Sequence, residues 1–379
     1  MNAAPAPHPP ADPAAGLAGR VDAHTHLYSA LAPYGLPSPV PPPRDFPGIL
    51  GALWWRLDRA LDEETLVAGA RLYAAEALLA GTTGLIDHHE SPHLIEGSLD
   101  LLADACESIG IRALLGYGAT ERNGGREEAE AGLGECRRFI LSNRRPRVRG
   151  VMALHASFTV SDDTIREAGR LCSELGAVMH VHVAEDRSDV EDARRRGHAG
   201  PLERLFDLGA LAPGSIAAHG VHLDEAQVRR CAASGVWLVQ NPRSNANNGV
   251  GYAASLGASD LVALGTDGFP ADLDAELAAL RRLAREHHDP TTAGRLEARA
   301  SAGGAMMIQH FGDAAGGDRV WFRKAGPDGR RVAERVTVQG QVVVDHGRLL
   351  TAEIGELRAR ARETAPALWR RMESFPWPV

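Results

Sequence analysis

The chain alternates between short apolar runs that end in a polar residue and longer amphipathic stretches. Eight such runs follow one another from Arg20 onward. They are Arg20–Leu27, Thr83–His88, Ile111–Tyr117, Arg149–His155, Ala177–Ala184, Ser215–His219, Val236–Gln240 and Leu261–Thr266. Nearly continuous apolar runs of this length are typical of strands buried on both faces of a parallel sheet.

Helical periodicity fills the segments between the runs. The predicted helices are Glu63–Ala80, Ser98–Ser108, Glu127–Ser142, Asp162–Leu175, Leu202–Leu208 and Asp224–Ala233. Strands that alternate with helices indicate a parallel sheet. Eight such units predict an α/β fold, a closed (β/α)8 TIM barrel, over residues 20–310.

The pattern differs outside the barrel. Residues 1–19 are rich in Ala and Pro and predict a disordered lead that is not a signal peptide. Residues 311–350 predict a small antiparallel β element, and residues 351–379 a C-terminal helix and tail. The predicted elements after the eighth run are helices at Asp274–Glu286 and Thr291–Ile308, strands at Arg319–Phe322, Arg331–Gln339 and Gln341–Asp345, and a helix at Glu353–Met372.

The polar residues at the strand ends point to chemistry. The carboxyl ends of all barrel strands face one mouth, where active sites lie. The residues predicted at or just past these ends are His24, His26, His88, His89, His155, His182, Glu185, His219, Asn241 and Asp267. The long proline-rich first loop leads to a helix that carries Trp54 and Trp55. This segment either covers the mouth, or the two tryptophans only pack the helix onto the barrel.

Composition excludes several classes of partner. The chain is 44% hydrophobic and 24% charged, with a formal net charge of −8, so it has no basic face for nucleic acid and nothing to attract anionic membranes. No apolar run reaches the ~20 residues of a membrane-spanning helix. Cys106, Cys136, Cys172 and Cys231 form no C-x-x-C pair, which predicts buried reduced thiols in a cytoplasmic protein.

Two H-x-H pairs, His24/His26 and His180/His182, lie on predicted strands. Residues two apart on a strand point the same way, so His24 and His26 can reach one ion, although chance alone accounts for a pair of this kind in a chain with 16 histidines. In the second pair we predict His182 as the ligand. Glu185 follows it just past the strand end, where a carboxylate can act as general acid and base.

Asp267 completes the predicted ligand set at the end of the last strand, since the glycines beside it allow close approach of the backbone. His219 is predicted in the site, and His222 in the loop beyond it. Three imidazoles and a carboxylate suit Zn²⁺ or Fe²⁺ and not Mg²⁺. A two-metal centre needs a bridging carboxylate or modified lysine near the fourth strand, but the only lysine is Lys324, so a single ion is predicted.

Together these residues resemble the amidohydrolase superfamily, in its branch of cytosine, guanine and adenosine-type deaminases and triazine hydrolases, with most likeness to SsnA-type aminohydrolases. The likeness spans about Gly19 to Met372. The stretches that carry it are Leu53–Glu64, Ile86–Pro92, Ala153–Val160, His180–Asp186, Asn241–Asn248 and Leu264–Gly268. Members usually have a longer segment ahead of H-x-H that forms half of a small β-sandwich, so this sandwich is expected to be reduced here.

The resemblance implies roles for the matching residues. His24, His26, His182 and Asp267 bind the ion, which activates water to hydroxide. Glu185, His219 and Asp267 are catalytic: Glu185 passes the proton from water to a ring nitrogen, His219 hydrogen-bonds the attacking oxygen, and Asp267 helps protonate the leaving amine.

His155, Asn245 and His89 are implied to contact substrate, although His89 has the alternative of a packed turn histidine. The expected activity is deamination of a small purine-, pterin- or pyrimidine-like heterocycle by a homodimer. Two alternatives stay open: the same site removes chloride, an alkylamine or a ring amide, or the barrel is truncated and non-catalytic.

Overall fold

The computed structural model describes residues 16–325 and 330–376, which form a parallel barrel, a small antiparallel sheet and a C-terminal helix. In chain order the strands are β1 (Leu17–Ala18), β2 (Val21–Thr25), β3 (Gly84–His89), β4 (Arg112–Ala119), β5 (Val148–Gly150), β6 (Met152–Ala156), β7 (Met179–Val183), β8 (Ile216–His219), β9 (Trp237–Gln240), β10 (Val262–Leu264), β11 (Arg319–Ala325), β12 (Arg330–Val338), β13 (Gln341–Asp345) and β14 (Arg348–Leu349).

The barrel strands pair in the order β2, β3, β4, β6, β7, β8, β9 and β10, and every pairing is parallel. The short strands β5 and β6 are one barrel strand interrupted at Val151, and both pair with β4. Backbone hydrogen bonds close the ring: Asp267 N donates to His24 O at 2.9 Å, and His26 N donates to Asp267 O at 3.3 Å. The predicted (β/α)8 fold is confirmed.

Helices surround the barrel and connect its strands. The α-helices are α1 (Phe46–Ile49), α2 (Trp55–Ala60), α3 (Glu63–Leu79), α4 (Ser98–Ile109), α5 (Arg126–Ser142), α6 (Asp162–Leu175), α7 (Arg187–Arg195), α8 (Pro201–Asp207), α9 (Glu225–Ala233), α10 (Pro242–Asn247), α11 (Leu273–Glu286), α12 (Ala293–Phe311), α13 (Asp313–Gly316) and α14 (Ile354–Ser374). Short 3-10 helices lie at Leu27–Tyr34, Ser157–Thr159 and Ala254–Ala258, and a π-helical segment lies at Leu50–Trp54.

Capping side chains set several helix starts. At α3, the Asp62 carboxylate accepts from Thr65 N at 3.0 Å while Asp62 N donates to Thr65 Oγ1, a reciprocal pair that satisfies two free backbone donors. Ser161 caps α6, and Gly176 ends it with φ of 60°, a left-handed conformation that suits glycine. Helix α6 has the predicted bounds.

The amino-terminal end of the barrel is plugged by apolar side chains. Helix α12 carries Met306 and Met307 into the barrel interior, where they belong to one buried cluster with Val21, Ile86 and Val239. This cluster separates the bottom of the barrel from the polar mouth, so the chemistry is confined to one end.

The small sheet is antiparallel, in the order β1, β11, β12, β13, β14. Leu17 pairs with Val320 in it, so the predicted disordered lead is wrong at Leu17–Ala18; residues 1–15 of that lead are outside the described part of the chain. In the described residues the predicted small β element is this antiparallel sheet, which stands beside the barrel. The domain division at residues 310/311 and 350/351 stays a prediction.

Candidate metal centre

The predicted ligands meet at the carboxyl ends of β2, β7 and β10. The potential ligand atoms of His24, His26 and His182 lie within 4.8 Å of one another, and so do those of His24, His219 and Asp267. Asp267 Oδ1 is 3.0 Å from His26 Nε2 and 3.6 Å from His24 Nε2. The structure therefore brings all four predicted ligands around one point.

Each of the three histidines is oriented through its Nδ1 atom. His26 Nδ1 donates to His88 O at 2.6 Å, and His182 Nδ1 donates to His155 O at 2.7 Å. His24 Nδ1 lies 3.0 Å from His180 Nε2, so the second H-x-H pair contributes one candidate ligand, His182, and one residue that orients another candidate ligand. Histidines that bind metals are commonly held in this way, with the other ring nitrogen left for the ion.

The buried Nε2 atom of His24 is free to bind an ion. His24 Nε2 has no hydrogen-bond partner among the described residues, and burial lowers the pKa of His24 to about 3, which keeps the ring neutral. A neutral buried imidazole nitrogen facing two further imidazoles and a carboxylate is the donor set that zinc or ferrous iron takes.

Glu90, which the sequence analysis did not single out, offers further ligand atoms. Its carboxylate belongs to two further groups whose potential ligand atoms lie within 4.8 Å of one another: His26, His88 and Glu90, and Glu90, His155 and His182. However, His26 and His182 already donate their Nδ1 protons to backbone carbonyls, so neither has a second nitrogen for another ion. The arrangement fits one ion better than two.

Backbone strain is concentrated at the same strand ends. Ala184, His219 and Asp267 have φ of 50°, 75° and 55°, the left-handed region that costs a residue with a Cβ about 1–2 kcal/mol. Asp189 supports the first of these turns, accepting from Ala184 N at 2.8 Å and from Ser157 Oγ at 2.6 Å. Strained residues of this kind persist where the surroundings hold them, typically at functional sites.

The two carboxylates predicted to be catalytic, Glu185 and Asp267, have opposite electrostatic surroundings. Burial, with the charge of Asp267, raises the pKa of Glu185 well above its ordinary value. Burial acts the same way on Asp267, but the neighbouring His24 and His26 rings outweigh it and hold its pKa well below the usual range. One carboxylate is thus kept charged while its neighbour can hold a proton, the division of roles that acid–base catalysis uses.

His219 lies beside Glu185, with its Nε2 atom 3.5 Å from Glu185 Oε2. Its Nδ1 atom is 2.9 Å from Asn245 Oδ1, and burial lowers the pKa of its ring. Asn248 Nδ2 donates to Glu185 Oε1 at 3.5 Å. Asn245 therefore orients His219, and it is Asn248, one helical turn on, that lines the cavity.

Two of the three predicted substrate contacts need correction. His155 lines the cavity, as predicted. Asn245 is buried behind His219 and does not line the cavity. His89 is wholly buried, and its Nε2 atom forms a hydrogen bond of 2.8 Å with Ser91 Oγ. Its ring packs edge-on against Tyr117. His89 is therefore the packed turn histidine and not a cavity residue. Because successive side chains on a strand point to opposite faces of the sheet, His88 on β3 faces the inside of the barrel and His89 faces its outside.

A cavity lies over this centre. Its walls are partly aromatic, and they include Trp54 and Trp55, so the helix after the first loop does cover the mouth. The lining also contains the polar residues Asp58, Glu90 and Arg122, which the sequence analysis missed. Glu90 and Arg122 could have been noticed because each follows a strand end by one to three residues; Asp58 gave no such signal.

A parallel (β/α)8 barrel with three histidines, an aspartate and a buried glutamate at its mouth defines the class of metal-dependent hydrolases. The amidohydrolase family model matches residues 16–310. The chain belongs to the amidohydrolase family, as the resemblance implied.

Relatives in sequence are deaminases. The chain is 27% identical over 350 residues to a 5'-deoxyadenosine deaminase from Methanopyrus kandleri, covering 83% of this chain and 78% of the relative. It is 28% identical over 350 residues to a 5-methylthioadenosine/S-adenosylhomocysteine deaminase from Desulforudis audaxviator, covering 83% and 79%. Deaminases hydrolyse carbon–nitrogen bonds, in agreement with the predicted reaction class.

Solved structures with the same fold contain zinc. An adenosine deaminase from Xanthomonas campestris with bound zinc superposes with a TM-score of 0.77 at 24% identity, over 94% of this chain and 86% of that one. An atrazine chlorohydrolase from Arthrobacter aurescens complexed with zinc gives 0.72 at 20% identity, over 93% and 88%. These likenesses show the fold; the finer likeness to SsnA-type aminohydrolases stays a prediction.

Proposed function

We propose that the chain is a deaminase that holds one divalent ion, zinc, through His24, His26, His182 and Asp267, with ferrous iron as the second candidate. The observation that carries the proposal is the convergence of three histidine Nε2 atoms whose Nδ1 atoms are already fixed by other groups. A divalent ion bound there supplies Lewis acidity that makes hydroxide available from water near neutral pH.

The protein's own groups then move the protons. Glu185 takes the proton of the attacking water and delivers it to a ring nitrogen of the heterocycle, which its raised pKa suits. His219 orients the attacking oxygen by accepting a hydrogen bond at Nε2, since its Nδ1 proton is donated to Asn245. Asp267 accepts the second proton and passes it to the leaving amine, so that water and the aminated ring become the oxo ring and ammonia.

The substrate is a small neutral heterocycle that fits between aromatic walls. The named relatives act on 5'-deoxyadenosine, 5-methylthioadenosine and S-adenosylhomocysteine, which supports an aminated purine. Loss of a different leaving group is the second candidate, because a chlorohydrolase shares the fold. His155 contributes to substrate contact from the cavity wall.

The cellular setting is proposed as cytoplasmic, and the assembly as a homodimer. The four cysteines are buried and unpaired, as expected for a reducing compartment. In the parts of the chain that the structure covers, no helix is both long and apolar enough to cross a membrane.

Metal analysis combined with a release assay tests the function. The purified protein should contain about one zinc or iron per chain, as expected for a site of four protein ligands. A panel of aminated, chlorinated and alkylaminated purines, pterins, pyrimidines and triazines should give ammonia and no chloride. A folded protein without metal, or release of chloride alone, contradicts the proposal.

A further inference from the structure

The short helix α10 follows β9 and lies against the candidate metal centre. Its residue Ser244 is 3% exposed, and the Ser244 hydroxyl donates a hydrogen bond of 2.5 Å to Asp267 Oδ2. The other carboxylate oxygen, Asp267 Oδ1, lies 3.0 Å from His26 Nε2 and 3.6 Å from His24 Nε2. The two oxygens of this carboxylate therefore have different partners: Oδ1 faces the imidazole nitrogens of the centre, and Oδ2 faces a protein hydroxyl.

The main chain of Asp267 is held independently of Ser244. Asp267 N donates to His24 O at 2.9 Å, and Asp267 O accepts from His26 N at 3.3 Å. The same carbonyl oxygen also accepts from Thr25 Oγ1 at 3.2 Å. These bonds fix the backbone, but they do not fix the rotation of the carboxylate about its Cβ–Cγ bond, which is a broad torsion in aspartate. The hydrogen bond from Ser244 to Oδ2 restricts this rotation.

Ser244 is itself held by its neighbours on α10. The preceding residue, Arg243, donates from its backbone N to Glu276 Oε1 at 2.7 Å and forms an ion pair with the same carboxylate. Glu276 is wholly buried, so this pair ties the start of α10 to α11. One turn further on, Asn248 Nδ2 donates to Ser244 Oγ at 3.4 Å. Because the serine oxygen accepts there, its own proton is left for the aspartate.

We propose that Ser244 is a positioning residue for Asp267: it holds Oδ2 so that the carboxylate binds the ion through Oδ1 alone. A carboxylate that is free to rotate can bind through both oxygens or move away from the ion, and either change alters the affinity for the ion and the positions left for water and substrate. Hydrogen-bond partners of metal ligands typically account for about 10–100-fold in metal affinity or activity. The inference rests on the proposed function, which assigns Asp267 as a ligand.

Zinc affinity of Ser244→Ala, measured by competition with a chelator, tests the proposal because it needs no substrate. The affinity should be about 10–100-fold lower than that of the wild type. In the zinc-loaded variant kcat should fall while KM stays within about twofold, since Ser244 does not line the cavity. A double-mutant cycle shows whether the effect passes through the aspartate: with Asp267→Ala already present, Ser244→Ala should not lower the zinc affinity further.

Ser215→Ala is the matched control, because Ser215 is also buried but precedes β8 at the other end of the barrel. Its hydroxyl oxygen accepts from Ala212 N at 3.1 Å and from Met179 N at 3.3 Å. This variant should unfold at lower urea concentration and keep the zinc affinity and kcat of the wild type.

Unchanged zinc affinity in Ser244→Ala overturns this inference alone, and so does an equal loss of affinity with and without Asp267→Ala. A wild type that binds no zinc overturns the proposed function and this inference with it.

Discussion

The two ends of the barrel differ in how their buried charged groups are paired. At the bottom, Arg112 is clamped by Asp318 through two hydrogen bonds of 2.5 and 3.0 Å and also donates to Ala314 O. At the mouth, His24 Nε2, His219 Nε2 and Arg122 Nη1 lack hydrogen-bond partners in the described chain. At the bottom Arg112 keeps one atom, Nη1, without a hydrogen-bond partner in the described chain, but its carboxylate partner is supplied by the protein. At the mouth the unpartnered atoms surround the candidate metal centre, where an ion, water and substrate can complete them. Changes at the mouth should cost activity, and changes at the bottom should cost stability.

The largest expected effect is on activity, from Glu185→Gln. Removing the proton shuttle should lower kcat by roughly 10²–10⁴-fold. Metal content should not change, because Glu185 is not a ligand. Stability should stay the same or rise, since the substitution removes a buried carboxylate repelled by Asp267. Ammonia release, zinc analysis and urea unfolding measure the three outcomes; loss of the metal would mean that Glu185 holds the ion.

The largest expected effect on stability comes from Arg112→Met at the bottom. It leaves Asp318 buried and unpaired, which costs about 3–5 kcal/mol. Turnover per zinc-loaded folded molecule should be unchanged. The double variant Arg112→Met with Asp318→Asn should be more stable than Arg112→Met alone. Urea unfolding checks this, and a single variant as stable as the wild type would show that the pair contributes nothing.

A smaller effect is expected from pH on the metal-free protein. Burial lowers the pKa of His89 to about 3, whereas an unfolded histidine titrates near 6.5. The stability linked to His89 is therefore present above pH 6.5 and lost as the pH falls towards 3, by about 2 kcal/mol between pH 6.5 and 5.

His89→Gln should make the loss of unfolding free energy below pH 6.5 shallower. His346, whose side chain is 85% exposed, provides the control, and His346→Gln should leave the slope unchanged. Equal slopes for the wild type and His89→Gln would contradict a neutral buried His89.

The smallest effect concerns the strained turn before Glu185. Ala184→Gly relieves a positive φ but loses a buried methyl and adds unfolded-state entropy, so the free energy of unfolding should change by less than about 1 kcal/mol. Ala153→Gly, in the unstrained strand β6, should cost about 1–2 kcal/mol. Equal losses would mean that the turn stores no strain.

The sequence determined the order of elements and the candidate ligands that meet at the barrel mouth. The eight apolar runs predicted the barrel because a parallel strand must be apolar on both faces, and this local pattern needs no tertiary information. His24, His26, His182, Glu185, His219 and Asp267 could be placed at one mouth because strand ends of a barrel share a face. Helix boundaries differed by no more than a few residues where caps, as at α6, fixed them locally.

Only the tertiary structure decided what each of these side chains touches. It turned His88 inward and His89 away from the cavity, and it assigned His180 and Asn245 to orient His24 and His219. It also brought Asp58 of α2, Glu90 after β3 and Arg122 after β4 into one cavity. Glu90 and Arg122 follow strand ends that the apolar runs mark. Asp58 has no such signal, so its position beside them depends on how the first loop folds over the mouth, which a local hydrophobic pattern cannot encode.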